Sequence, residues 1–333
     1  MIRRLTLAAA LLAALAAAPA AVADPMLADF DYPFPVQHFD FKSQGQDLSM
    51  AYMDVQPEKP NGRTVVLLHG KNFCAATWEG VMRPLLQAGY RVVAPDQIGF
   101  CKSSKPQAYQ FGLHQLAANT QELLHRLGVN GPVIMGHSMG GALAIRYALA
   151  FPDDLSGLVL VNPLGLEDWR AAGVPQQTVD QWFEGELKTS ADSIKAYQQA
   201  TYYAGEWKPE YDRWVQMLAG MYQGEGGRQV AWDQALTSDM VFNQPVVYEL
   251  ERIRAPTVLM IGERDTTAIG KALAPPEVAQ RLGNYAELSR SAAKRIPGAN
   301  LIRFPGEGHA PQIQSPDAFN KALLGALGRF PAP

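Results

Sequence analysis

The chain has 333 residues, 47% hydrophobic and 18% charged: enough apolar side chain for a large buried core and too little charge for a disordered chain. Its formal net charge is −3 without basic runs, which argues against nucleic acid as the main partner. Two cysteines exclude a disulfide-dense scaffold and most structural zinc sites, and no two of the six histidines form a HExxH-type pair.

Residues 1–23 read as a secretory signal peptide. Arg3 and Arg4 form the basic start, Leu5 to Ala18 the apolar run, and Ala21-Val22-Ala23 the small residues before a cleavage point at Asp24. The run is shorter than the roughly 20 residues a membrane span needs. The reading predicts a periplasmic or secreted protein with no membrane anchor after cleavage, in an oxidising compartment.

The mature chain opens with a Pro-rich arm, 24–35, expected to be irregular. Val36–Phe41 and Leu48–Val55 read as a hairpin around Gly45. Thr64–Leu68 is a buried strand ending at His69-Gly70, and Thr77–Ala88 a helix. Arg91–Pro95 is the next strand, followed by a loop over Asp96–Ser104 and a helix over Gly112–Leu127. Pro132–Gly136 is a strand, Met139–Ala150 a helix, and Leu158–Val161 a strand. Strands resume at Thr257–Ile261 and Asn300–Phe304, and Pro316–Phe330 closes the chain as a helix. Short apolar strands alternating with helices predict an α/β fold: a mostly parallel sheet covered by helices on both faces.

The alternation breaks between about 163 and 255. Five of the six tryptophans fall there (Trp169, Trp182, Trp207, Trp214 and Trp232) without a strand pattern. The segment is expected to be a helical cap over the loop end of the sheet, its aromatics favouring an apolar pocket. The chain thus divides into the signal peptide 1–23, a first core part 24–163, a cap 164–254 and a second core part 255–333.

Gly136-His137-Ser138-Met139-Gly140 stands between a strand and a helix. A G-x-S-x-G sequence there puts serine on a tight turn, its hydroxyl exposed and helix N–H groups nearby. About 0.1 such matches are expected in this chain by chance, before that context is required. Ser138 is therefore the candidate nucleophile. Its base should follow it in the chain. His38, His69, His114 and His125 precede it, and adjacent His137 cannot easily turn back, which leaves His309, in a loop after the last strand. The orienting acid should end an earlier strand, and Asp265 does. Glu263 competes but is nearer the strand, and is read as structural or paired with Arg264. The position after Leu158–Val161 offers no acid, being Asn162-Pro163. The oxyanion hole is expected from the N–H of Met139 and the N–H of Lys71, with Asn72 next in line.

Together these residues resemble the α/β-hydrolase superfamily over about residues 36–332: His69-Gly70 followed by Trp78, then Asp96-x-x-Gly99-Phe100, Ser138, Asp265 and His309 in that order. The closest likeness is to lidded serine hydrolases, the esterases and carbon–carbon bond hydrolases. The nucleophile speaks against the epoxide and haloalkane hydrolases, which use aspartate. Lys71 departs from the commoner apolar or small residue, and Gly270–Ala293 looks like an added helical excursion. The resemblance implies an exported serine hydrolase acting on an ester of an apolar small molecule, without metal or organic cofactor. A carbon–carbon or amide hydrolase with the same triad, or a non-catalytic binding member, are the alternatives. It also puts Cys74 and Cys101 in loops that leave the same end of the sheet toward the oxyanion side, where they are expected to pair.

Overall fold

The computed structural model describes residues 24–331, so the signal peptide assigned to 1–23 lies outside the described residues. Eight strands form one sheet in the order β1-β2-β4-β3-β5-β6-β7-β8. They are β1 (Gln37–Ser43), β2 (Gln46–Val55), β3 (Thr64–Leu68), β4 (Arg91–Pro95), β5 (Val133–His137), β6 (Gly157–Val161), β7 (Thr257–Gly262) and β8 (Asn300–Phe304). The β1–β2 and β2–β4 pairs are antiparallel, and every later pair is parallel. The helices between strands are α1 (Glu79–Gln87), α2 (Leu113–Arg126) and α3 (Met139–Ala150). Past β7 come α8 (Pro276–Ala279) and α9 (Tyr285–Arg295), and past β8 α10 (Pro311–Gln314) and α11 (Pro316–Leu327).

The central strands are continuous apolar runs, with polar residues only at their ends, because both faces are covered. Val66 and Leu68 of β3 and Leu158 and Leu160 of β6 face the core under α2 and α3. Val65, Leu67, Val159 and Val161 face the opposite core, where Trp78 and Leu85 meet Phe319 and Leu323 of α11. The expected strands are all present, with ends shifted by a residue or two at most of them. The helix expected at Thr77–Ala88 begins as a 3-10 turn, Ala75–Trp78, and becomes α1 only at Glu79.

Between β6 and β7 the chain forms α4 (Val179–Glu186), α5 (Ala191–Tyr197), a π-helical turn Gln198–Tyr202, α6 (Asp212–Met221) and α7 (Gly227–Asn243). Capping boxes start the first two: Thr178 with Gln181, and Ser190 with Ser193. α4 packs on α7 and α5 on α6. The apolar core of this insertion is continuous with the core under α2 and α3. The arm before β1 is irregular, as expected, but it is fastened down. Leu27 is buried, and the Tyr32 hydroxyl donates to Asp96 Oδ2 at 2.6 Å. No helix among the described residues is long and apolar enough to cross a membrane.

Candidate active site

Ser138 stands alone between β5 and α3 with φ 57° and ψ −122°, a conformation that L-residues rarely adopt. The neighbouring backbone leaves no room for side chains. A Cβ on Gly136 would lie 2.0 Å from the Gly140 carbonyl oxygen, and one on Gly140 2.2 Å from that of Leu68. Two glycines two residues either side of Ser138 are thus required by contact, not only by the turn. The β3 loop passes beside the serine: a Cβ on Gly70 would be 2.9 Å from Ser138 Cβ.

Asp265 and His309 meet. His309 Nδ1 lies 2.6 Å from Asp265 Oδ2, with both side chains at zero exposure. Carboxylates only accept, so Nδ1 carries the proton of the bond, and in a neutral imidazole Nε2 is then the atom that bears the lone pair. Nε2 is buried and has no hydrogen-bond partner among the described residues, the Ser138 hydroxyl included. Such bonds are often long before substrate is bound. Asp265 is held from two further sides. Asn162 Nδ2 donates to Oδ2 at 2.9 Å, and the Thr267 N–H donates to Oδ1 at 2.8 Å. Asn162 thus occupies the strand end that offered no acid and serves the acid of the next strand instead. Glu263 is elsewhere, pairing with Arg290 and Arg303 at 3.3 Å each, not with Arg264.

Two other histidines are structural. His137 Nε2 donates to the His309 carbonyl oxygen at 2.8 Å, tying the His309 loop to the residue before Ser138. Burial first, and His309 second, hold its pKa well below the ordinary value, so it stays neutral. His69 Nδ1 donates to the Gly70 carbonyl oxygen at 2.9 Å, and its Nε2 accepts from the Gln97 N–H at 3.0 Å. It fastens the β3 loop to the β4 loop, and burial lowers its pKa too. The Cys74–Cys101 disulfide joins the same two loops. These sulfurs and Asp96 are the one compact His/Cys/Asp/Glu group of metal-site size among the described residues. The sulfurs are spent on each other, and Asp96 accepts from the Ala75 and Lys102 N–H groups besides Tyr32.

The N–H groups of Lys71 and Met139 have no acceptor among the described residues. The Lys71 side chain meets Glu186 of α4 at 2.6 Å, both nearly buried. Glu186 also accepts from the Tyr222 hydroxyl at 2.6 Å. This contact between core loop and insertion was not legible from the sequence. Lys71 and Asn72 line one edge of a cleft of about 940 Å³ between α4, α5 and the loop after β7. Ser138 and His309 do not line it and are buried, at 3% and 0% exposure. The expectation that the insertion's aromatics form an apolar pocket is met only in part. Trp182 lines the cleft, but Trp169 and Trp214 are core residues, and Trp207 packs against Tyr203 and Tyr211. The rest of the lining includes the Lys71–Glu186 pair and Lys271, so the cleft is mixed in polarity.

Comparison with known proteins gives the family of this fold. A sequence profile of the alpha/beta hydrolase family matches residues 65–322. A probable hydrolytic enzyme from Pseudomonas aeruginosa PAO1, known by its crystal structure, is 62% identical and superposes with a TM-score of 0.92, covering 92% of this chain and 99% of its own. Lipase 1 of Psychrobacter immobilis is 26% identical over 264 residues, 77% of this chain and 74% of the lipase. An esterase from Exiguobacterium antarcticum shares the fold at 20% identity, with a TM-score of 0.65 over 85% of this chain and 96% of its own.

Proposed function

The chain belongs to the alpha/beta hydrolase family and is a hydrolase, and from that premise we propose that it is an exported serine hydrolase that cleaves carboxylic esters through an acyl-enzyme. The observation that carries the reading is the sealed contact of His309 Nδ1 with Asp265, which leaves Nε2 free on the loop tied to His137, next to the strained Ser138.

In this reading Ser138 Oγ attacks the ester carbonyl carbon, and His309 Nε2 takes its proton. Asp265, oriented by Asn162 and Thr267, holds the imidazole in the Nδ1–H tautomer and stabilises the imidazolium. The N–H groups of Lys71 and Met139 stabilise the tetrahedral oxyanion. His309 then protonates the departing alcohol, and water repeats the sequence to release the acid. The insertion 164–254 acts as a cap, and the cleft it shares with Lys71 and Asn72 is the approach. With Lys71 and Glu186 neutralising each other at its edge, neutral small-molecule esters are the substrate class. The Cys74–Cys101 disulfide supports export to the periplasm or beyond, because cytosolic thiols are kept reduced.

The experiment is a panel of neutral and charged esters, lactones, amides and carbon–carbon substrates, with Ser138→Ala as control and a fluorophosphonate to label Ser138. Turnover of neutral esters, lost by on the order of 10³-fold or more in the variant, supports the proposal. An active Ser138→Ala protein would refute the mechanism. Preference for amides or carbon–carbon bonds would move the substrate.

A further inference from the structure

Tyr202 ends the π-helical turn of the insertion. Such turns inside helical segments often mark functional sites, and this one is bonded to the loop that carries His309. The His309 N–H donates to the Thr201 carbonyl oxygen at 3.0 Å, and the Ala310 N–H to that of Tyr202 at 3.1 Å. The contact is as close as backbone allows. A Cβ on Gly308 would fall 2.6 Å from the Thr201 oxygen and 2.7 Å from the Tyr202 oxygen. Tyr202 is therefore held in place by the His309 loop and is not free to swing with the rest of the insertion.

The side chain of Tyr202 is 3% exposed. Its ring lies 4.7 Å from the His309 ring and 5.3 Å from that of Phe73, centroid to centroid. Its hydroxyl accepts from Asn72 Nδ2 at 3.1 Å. The ring thus runs from His309 to the β3 loop, whose Gly70 stands beside Ser138. The Asn72 amide occupies a lone pair of the hydroxyl oxygen, so the phenolic hydrogen is directed elsewhere. It has no acceptor among the described residues. Burial pushes the phenol pKa well above its ordinary value, so the group stays a donor throughout the range in which a histidine base works.

We propose that the Tyr202 hydroxyl is a further catalytic group, a third donor to the ester carbonyl oxygen as that oxygen gains charge beside the N–H groups of Lys71 and Met139. The inference rests on the serine hydrolase reading and deepens it. Asn72 is the positioning residue that fixes the phenol's orientation, and the mixed backbone and side-chain donors surround the oxygen from the core and the insertion together. A donor fixed in advance in a water-poor site stabilises charge without having to reorganise.

The test is the rate constant for phosphonylation of Ser138 by a fluorophosphonate, followed by intact mass. That reaction also builds charge on an oxygen in the same place, and it needs no knowledge of the natural ester. Tyr202→Phe keeps the ring on His309 and removes only the donor. The expected result is a rate about 10- to 100-fold lower, with the midpoint of its pH profile unchanged. Asn72→Ala should give a smaller fall of the same kind. A Tyr202→Phe rate within twofold of wild type would overturn the proposal. So would a slow rate explained by a shifted pH midpoint, since the ring would then be acting through His309. Should Tyr202→Phe not fold, a wild-type rate in Asn72→Ala overturns it alone. Label captured by a Ser138→Ala protein would instead remove the underlying hydrolase reading, and this inference with it.

Discussion

Exchanging Asn162 for aspartate replaces one amide NH2 with an oxygen and turns a donor to Asp265 into a second carboxyl. Asn162 is fully buried at φ 37°, a left-handed conformation that Asn and Asp tolerate better than most. Its Nδ2 donates to Asp265 Oδ2 at 2.9 Å and to the Gly262 carbonyl oxygen at 3.1 Å, and its Oδ1 accepts from the Gly262 N–H at 2.9 Å. In Asn162→Asp a second carboxyl would face Asp265 across that 2.9 Å. Two carboxylates so close cannot both ionise where water is excluded, so the pair retains a proton. Raising one apparent pKa from about 4 to 7 or above costs about 1.4 kcal/mol per unit, hence about 4 kcal/mol at pH 7. The sign follows from proton counts. Above pH about 4 the unfolded carboxyl has lost its proton while the folded pair keeps one, so stability falls as pH rises toward the raised pKa. At pH 4 or below this cost vanishes, leaving about 1 kcal/mol for the lost second donor. Urea unfolding of wild type and variant at pH 4.5, 6 and 7.5 reads it. The difference should grow by roughly 1.4 kcal/mol per pH unit, and kcat should fall with the shared proton opposite His309. A difference independent of pH would refute the reasoning.

Gly308→Ala should cost about 2–4 kcal/mol in urea unfolding and about 100-fold or more in kcat. The added methyl can be relieved only by opening the buried backbone bonds of His309 and Ala310 to Thr201 and Tyr202. A change under about 0.5 kcal/mol would contradict this. The Cys74→Ala/Cys101→Ala double variant should lose about 3–4 kcal/mol on the chain-entropy relation for a separation of 27 residues, measured against the oxidised wild type. Reductant should leave the native protein slow to respond, because both sulfurs are fully buried. His69 and His137 have pKa values lowered by burial, so the unfolded chain binds protons that the folded one does not. Stability should therefore fall below pH about 6.5 by up to about 1.4 kcal/mol per unit for each histidine, and His137→Asn should reduce that slope. A flat wild-type profile between pH 6.5 and 5 would count against both assignments.

Ser138, Asp265 and His309 were legible as candidates because each announces itself over a few residues, and the structure brings Asp265 and His309 together. Gly136 and Gly140 bracket the serine, and the acid and the histidine each follow a short apolar strand. The parallel sheet was legible for the same reason: Thr64–Leu68, Leu158–Val161 and Thr257–Ile261 are apolar without alternation, which only burial on both faces explains. The pairing of Cys74 with Cys101 followed once a parallel sheet put both loops at one end. The pocket was misread in part, because an aromatic side chain fills a helical core as well as it lines a cleft, and Trp169 and Trp214 do the former.

The sequence by itself determined which strands exist and where the insertion leaves the sheet, and it singled out one candidate serine, acid and histidine, because periodicity and turn chemistry are local. Only the tertiary structure decided what holds those groups. Asn162 reaches Asp265 across 103 residues, His137 reaches His309 across 172, Lys71 reaches Glu186 across 115 and Asn72 reaches Tyr202 across 130. No short-range pattern encodes such pairs. Each depends on where neighbouring strand ends and the insertion come to rest in three dimensions, and buried polar atoms then take whichever partner burial leaves within reach.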